Sequence, residues 1–456
     1  MRVLKFGGTS VADAAAIDRV VSIVSGRQGA RTVVVSALAG VTDALLDIAS
    51  RAPADPAVAA AAVDALTARH RTVAAAIRSP HARRTLDPAI EGIARGAASA
   101  VAAIAAHGAS PALVDRLIAC GELWSSRLVA AAFSDAGVPS QWFDGRHLVR
   151  TDGRHGEAAP DLAATDRAIS RLLRPALALD HVAILGGFIG SGPDGATTTL
   201  GRGGSDYSAA IVGACLLADE IEIWTDVDGV LTADPRVVPG ARVMPALSYE
   251  DAETLATFGA KVLHPKTIEP AAARDIPVRV LNAQRPAAPG TRISGAVPDS
   301  GGCTAVASRT GLCLLELTAS RRPAPEGFAV RALQALADAG VGVVLGEVHR
   351  DRLTVAVDRT CDVEALRARM SPFAEVRSRD GLSAVCAVGS QLATDPYAVA
   401  AALALFQDGP IHLVARPGGA TGFAVVVDDR HAHTIVARLH ECFKGEPLET
   451  REGVAS

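Results

Sequence analysis

The stretch with the densest chemistry is Thr197–Asp206, which reads Thr-Thr-Thr-Leu-Gly-Arg-Gly-Gly-Ser-Asp. Gly201, Gly203 and Gly204 permit backbone angles and close approaches that a side chain forbids. Ser205 suits a helix N-cap, and the apolar run Tyr207–Leu217 reads as a buried helix. Free N–H groups at such a helix start seat a phosphate or a carboxylate. Arg202 adds a bidentate anion donor and Asp206 a carboxylate in the first turn. Taken alone, the loop is equally well a glycine-rich cap on an ordinary helix. A short apolar strand, Arg2–Phe6, carries Lys5 and runs straight into Gly7-Gly8-Thr9-Ser10. A second, Thr32–Ser36, ends in Ser36-Ala37-Leu38-Ala39-Gly40 and a helix opening near Thr42.

Two successive strands that end in small, hydroxyl-rich loops belong to a parallel sheet, whose carboxyl edge is where ligands bind. Ser10 or Thr9 caps the helix after the first, through about Ser25. Three alanine-rich helices follow, Pro56–Ser79, Pro88–His107 and Pro111–Asp135, each introduced by proline. The third contains Gly121-Glu122, and a glycine inside a helix costs about 1 kcal/mol relative to alanine. That penalty suggests close packing or a nearby ligand, although a lone Glu122 is more often a solvated helix carboxylate. Ser140–Asp144 and His181–Ile189 are strands flanking the helix Asp161–Leu179. Gly190–Gly195 formally matches G-x-G-x-x-G, but Pro193 and Asp194 make it a hairpin tip and no helix follows, so it is not a dinucleotide fingerprint.

The strand Glu220–Thr225 delivers Asp226-Val227-Asp228-Gly229 and then Thr232-Ala233-Asp234-Pro235-Arg236. Aspartates there are commonly turn formers. Phe258–Pro265 holds Lys261 in an apolar setting, as a snorkelling stem or, by preference, an anion ligand. A strand at Pro277–Leu281 closes the first domain, and Ser294–Gly302 is the best linker. Beyond it come short strands and helices: Leu312–Thr318, helix Phe328–Ala339, Val341–Val348, Leu353–Val357, helix Asp362–Met370 and Ala374–Ser378. A comparable series runs Ser383–Val388, helix Tyr397–Leu405, Ile411–Arg416, Phe423–Val427 and helix His431–Cys442. This order predicts an α/β fold with a mainly parallel central sheet and helices on both faces, followed by two ferredoxin-like modules. The expected boundaries are 1–294 for the first domain, 295–310 for linker and first regulatory strand, 311–381 and 382–445 for the modules, and a frayed tail at 446–456.

Composition narrows the class. The 456 residues carry a formal charge of -4, with 49% hydrophobic and 21% charged residues. That gives no basic footprint for nucleic acid, and charges or glycines interrupt every apolar run, so no membrane partner is expected. The start Met-Arg-Val-Leu-Lys-Phe-Gly-Gly is unlike a signal peptide. Seven scattered cysteines without C-x-x-C spacing favour reduced thiols and a cytoplasmic setting.

Assembled, these motifs resemble those of the aspartate kinases of the amino-acid kinase family, most of all the monofunctional lysine-sensitive bacterial subgroup. The resemblance runs from Lys5 to about Arg292 and rests on Lys5–Ser10, Gly121-Glu122, Thr197–Asp206, Trp224–Asp226 with Thr232–Arg236, and Phe258–Pro265. It implies the amino-acid kinase fold with two ACT modules, and transfer of phosphate from ATP with Mg²⁺ to the side-chain carboxylate of L-aspartate. By that resemblance Lys5 neutralises the γ-phosphoryl oxygens and Asp206 orients Lys5. Glu122 pairs with the ammonium of aspartate and Arg202 with its α-carboxylate, while Ser36, Thr42, Gly203 and Ser205 complete the pocket. Gly7, Gly8 and Thr9 bring N–H groups to the phosphates, and Thr225, Asp226, Leu231, Arg236, Lys261 and Val262 match positions that hold ATP. Mg²⁺ enters on ATP, since no dedicated metal cluster is legible.

Two departures stand out. Many relatives carry tyrosine where this chain has Leu231. Lysine-regulated relatives show Asn-Val-Asp and Thr-Ser-Glu where this chain has Gly342-Val343-Val344 and Val348-His349-Arg350. The resemblance therefore implies an amino-acid effector at the ACT modules with weakened lysine inhibition, and a homodimer. Two competing readings keep the fold: a kinase for glutamate or another acidic amino acid, and a non-catalytic regulatory subunit. The presence of Lys5, Asp206 and Glu122 argues against the latter.

Overall fold

The computed structural model describes residues 1–260, 264–295, 297, 303–321, 326–389, 392, 396–407, 409–417 and 422–443. The chain divides into two compact units, Met1–Val230 with Val262–Gly295, and Leu231–Lys261 with Ala296–Ser456. The expected first domain, 1–294, thus differs in one respect: Leu231–Lys261 groups with the C-terminal unit. Within that unit Val306 donates its N–H to the Thr232 carbonyl at 2.9 Å, and Ala233 and Val238 share a core with Val385 and Phe423.

In the first unit the strands are β1 (Arg2–Phe6), β2 (Arg31–Val35), β3 (Ser140–Phe143), β4 (Val182–Gly186), β5 (Ile189–Ser191), β6 (Thr197–Thr199) and β7 (Glu220–Thr225). The sheet runs β3-β4-β2-β1-β7, then Val278–Asn282, then Thr291–Ile293. All neighbours are parallel except the last pair. The continuous apolar runs of β2 and β4 are buried on both faces, as a parallel sheet covered by helices requires. From β1 the chain passes to β2 on one side and returns to β7 on the other. The loops after β1, β2 and β7 therefore meet at one edge, where the strand order reverses. β5 and β6 form the antiparallel hairpin expected around Pro193 and Asp194.

The helices are α1 (Ala14–Ser25), α2 (Val41–Arg51), α3 (Pro56–Ala74), α4 (Pro80–His107), α5 (Pro111–Asp135), α6 (Gly145–Leu148), α7 (Leu162–Ala178) and α8 (Gly204–Leu216). Asp13, not Thr9 or Ser10, caps α1 by accepting from the Ala16 N–H at 2.8 Å. α4 begins at Pro80 under a Ser79 cap and carries Pro88 inside it, so it starts earlier than expected. Among the described residues α4 is the one helix long and apolar enough to cross a bilayer by length and composition. Here Leu86, Ile90, Ala97, Val101 and Ile104 turn into the core. Phe6 and Trp224 stack beneath the ligand edge, with ring centroids 5.9 Å apart.

The second unit is built on an antiparallel sheet ordered Val343–Val348, Arg352–Asp358, Cys303–Ala319, Ala374–Gly389, Gly422–Asp428, Leu413–Ala415. Helices Phe328–Asp338 and Val363–Met370 cover one half, and Pro396–Leu403 and Asp429–Phe443 pack with the other. The expected strands Ala374–Ser378 and Ser383–Val388 are one continuous strand, and Leu312–Thr318 extends back to Cys303. Residues Ala305–Arg309 pair with Ala384–Val388, whereas Leu312–Thr318 pair with Arg352–Asp358. A strand of the second module thus precedes the first module in the chain. The tail expected at 446–456 lies outside the described residues.

Candidate active site

Helix α8 starts where the glycines dictate. Its N-cap is Gly203, in the left-handed region at φ 69°, and no side chain caps it. A Cβ there would lie 2.5 Å from the His264 Cβ, so only glycine lets the loop pass His264. Ser205, expected to be the cap, instead lies in the first turn and faces the cleft.

α5 crosses the same edge. Its start is conventional, Ser110 accepting from the Leu113 N–H at 3.4 Å with Pro111 next. The costly Gly121 is explained by contact: a Cβ would sit 2.8 Å from that of Ala37, in the loop after β2. This approach lets the Glu122 Oε1 accept the Ala37 N–H at 3.1 Å. The other oxygen, Oε2, has no partner among the described residues, and the residue is only 2% exposed. Burial pushes the Glu122 carboxyl up to about 8, against the pull of the Ala37 N–H and the Lys5 charge.

Lys5 emerges from the end of β1, paired in register with Val34 and Ile223. Its Nζ meets the Asp206 Oδ1 at 2.5 Å, and both side chains are largely buried. Lys5, Ser36, Thr42, Glu122, Arg202, Gly203, Ser205 and Asp206 all border one open cleft of about 700 Å³. The structure thus gathers one buried ammonium, one buried carboxyl with a vacant oxygen, one exposed guanidinium and a helix N-terminus. Among the described residues no carboxylate forms an ion pair with Arg202.

Other candidates fall elsewhere. The Gly7 N–H donates to the Trp224 carbonyl at 3.1 Å, so it is not available to a phosphate. Gly8 and Thr9 open the short 3₁₀ turn Gly8–Val11, whose first N–H groups a helix leaves without internal partners. Thr225 ends β7 beside β1, and its hydroxyl donates to the exposed Asp226 at 3.2 Å. Leu231 and Arg236 belong to the second unit, where Arg236 is held by Asp234 at 2.5 Å. Lys261 and Val262 lie outside the described residues. Among those described, no group of three or more His, Cys, Asp or Glu side chains is placed to hold a metal ion.

Sequence reasoning missed Asp115, which is 1% exposed and also borders the cleft. It accepts from the Thr199 hydroxyl at 2.6 Å, the Thr199 N–H at 3.2 Å and the Gly156 N–H at 2.9 Å, with His155 Nδ1 at 3.1 Å. One carboxylate thereby ties α5 to β6 and to the loop before α7. The available signal was spacing: Asp115 precedes Glu122 by two helical turns on one face. Phe188 was missed too; it borders the cleft at φ 66°, with its N–H held by the Ser208 hydroxyl at 2.8 Å.

Residues 1–282 match the model of the amino acid kinase family, and the chain belongs to that family. Within it, a curated relative is the lysine-sensitive aspartokinase 3 of Escherichia coli, 34% identical over 96% of this chain and 98% of the relative. The crystal structure of E. coli aspartokinase III in complex with aspartate and ADP, in its R-state, superposes with a TM-score of 0.89 at 33% identity. It covers 97% of this chain and 99% of that one. The same enzyme with lysine and aspartate, in the T-state, gives 0.78, covering 98% and 100%.

Proposed function

We propose that the chain is an aspartate kinase, converting ATP and L-aspartate to ADP and 4-phospho-L-aspartate in the aspartate-derived amino-acid pathway. The observation that carries this reading is the cleft itself: Glu122 with a vacant buried oxygen, Arg202 paired with no carboxylate among the described residues, and the Lys5–Asp206 pair, all bordering one space.

The reaction asks little covalent chemistry of the protein. A carboxylate is already deprotonated, so no general base is needed; the task is to bring two anions in line and compensate the charge on the transferring group. Lys5, held by Asp206, faces the γ-phosphoryl oxygens as their compensating cation. The substrate ammonium meets Glu122 and draws its carboxyl back to the ionised form, which gives the elevated pKa a role: the acid stays neutral until a cation arrives. Arg202 takes the α-carboxylate in bidentate fashion. Gly8, Thr9 and the start of α8 offer N–H groups to phosphate. Thr225 and Asp226, at the end of β7, flank the nucleotide. Mg²⁺ travels with the ATP phosphates.

An ADP-release assay with aspartate tests the reading. Turnover with aspartate that falls steeply in Lys5→Ala supports it; equal turnover with glutamate, or activity indifferent to Lys5, overturns it. The protein acts in the cytoplasm as a homodimer in this reading, the latter supported by the exposed apolar Val330, Leu333, Val343 and Val348 of the C-terminal unit. Lysine inhibition is weakened, because Gly342–Val344 and Val348–Arg350 supply neither aspartate nor serine to an effector's ammonium, and His349 is engaged by Glu347 at 2.9 Å. Strong inhibition by millimolar lysine would refute that part.

A further inference from the structure

Helix α5 has a second lined side. Asp115, Ile118 and Glu122 border the cleft, whereas Arg116, Cys120, Leu123 and Arg127 border a separate groove of about 310 Å³. At about 100° per residue the two sets centre roughly 140° apart around the helix. α4 forms the opposite wall of the groove, and Trp142, Asp144 and Arg146 close one end.

The charge in this groove is unbalanced. Three guanidinium groups, those of Arg116, Arg127 and Arg146, meet the single carboxylate of Asp144. Arg146 takes that carboxylate with both arms, Nε to Oδ1 at 3.0 Å and Nη2 to Oδ2 at 2.6 Å. Among the described residues Arg116 donates to the Ser99 hydroxyl, at 3.2 Å, and to no carboxylate. Arg127 lies over the Trp142 indole with its guanidinium carbon 3.3 Å from the ring centroid. It is half-buried, and among the described residues no carboxylate bonds it. Burial lowers its affinity for the proton, with Asp144 offsetting only part of that. A cation taken partly out of water without a counter-ion is unfavourable, and an arriving anion relieves it.

The floor of the groove is kept clear. Gly92 and Gly96 lie one turn apart on α4, each at a penalty of about 1 kcal/mol relative to alanine. Packing does not demand either. A Cβ on Gly96 would meet nothing within 4 Å, and one on Gly92 only the tip of Arg95 at 3.9 Å. What the two glycines provide is space beside the arginines. The Cys120 thiol in the same wall is pushed up to about 12 by burial and stays neutral, adding no competing negative charge.

We propose that this groove binds a compact anion of two or more negative charges, of the phosphate or polycarboxylate type. Arg127, braced by Trp142, and Arg116 present planar donors matched to either group. The proposal stands apart from the kinase reading, since none of these side chains borders the cleft.

Isothermal titration at constant ionic strength, with citrate and separately with inorganic phosphate, tests it. Saturable binding of either is expected, and the tighter one assigns the ligand type. Binding should survive Lys5→Ala, weaken at least 10-fold in Arg127→Ala, weaken several-fold in the exposed Arg116→Ala, and be lost in Gly96→Leu, which fills the floor without changing charge. Melting curves confirm that each variant is folded; should Arg127→Ala fail to fold, Arg116→Ala and Gly96→Leu decide. Basal ADP release stays within about two-fold of the parent in the groove variants. Absence of saturable binding for both anions, affinity untouched by the groove substitutions, or loss of binding in Lys5→Ala would each overturn the assignment.

Discussion

The two lined sides of α5 make opposite use of one helix. On the cleft side, the acids Asp115 and Glu122 are almost fully buried, one saturated with donors and the other left with a vacant oxygen. On the groove side, Arg116 and Arg127 remain partly hydrated around a space held open by glycines on the neighbouring helix. The inner side is apolar, and there Trp124 stacks on the buried His70 with ring centroids 4.6 Å apart. The comparison teaches that how far the fold satisfies a charge, rather than burial alone, decides what that charge does here. A saturated carboxylate holds structure together, an unsaturated one waits for a cation, and an unneutralised guanidinium waits for an anion.

The largest effect should come from beyond the helix. Lys5→Ala is expected to reduce kcat about 10³-fold, with the aspartate KM changed far less, read by ADP release under saturating ATP. A kcat within 10-fold of the parent would break the assignment of the cleft side to catalysis. Glu122→Gln should raise the aspartate KM about 100-fold, since a charged hydrogen bond is replaced by a neutral one. In the parent, the aspartate KM should fall as pH rises from 6 to 8, because free Glu122 must surrender its proton to bind the ammonium; the Gln variant should lose that dependence.

The same substitution sharpens the contrast between function and stability. A carboxyl whose folded pKa lies near 8, above its ordinary value of 4.5, binds more protons folded than unfolded between those two pH values. Stability from this group is therefore greatest below pH 4.5 and declines as pH rises toward 8. Glu122→Gln should accordingly raise the melting temperature at pH 8 by about 2–4 °C, and a lowered value would contradict the burial argument. Asp115→Asn should affect kcat/KM by about 10-fold and expose residues 153–159 to faster hydrogen exchange, since Gly156 and His155 lose their anchor. Unchanged exchange there would reduce Asp115 to a bystander. The smallest effect is on the inner side. Burial holds the His70 imidazole down to about 4, so its share of stability is present above pH 6.5 and is lost as pH falls toward 4. His70→Phe should flatten that part of an acid-denaturation curve.

Much of this was readable beforehand. Lys5 and Ser36 end apolar runs and open into small residues, a pattern that places both at the carboxyl edge of a parallel sheet. Gly121 was readable as a contact because a helix interior penalises glycine unless something lies against it. Asp115 was missed because a single acid in the first turns of a helix looks like a solvated one; only the fold brings Thr199 and Gly156 to it. Ser205 was misread as a cap, since the sequence does not reveal that His264 passes within touching distance of Gly203 and forces the turn there. The grouping of Leu231–Lys261 with the second unit depends on Val306, some 70 residues onward, and no local pattern encodes it. The two strands expected at Ala374–Ser378 and Ser383–Val388 join through Gly381, whose φ of 76° bends the strand without ending it.

That uninterrupted strand and its partner Cys303–Ala319 carry a practical consequence for anyone building chimaeras. A graft that exchanges only residues 382–445 would leave Ala305–Arg309 from one parent facing Ala384–Val388 from the other. Such hybrids should be cut so that both lengths travel together, since the C-terminal module is discontinuous in the gene although whole in space.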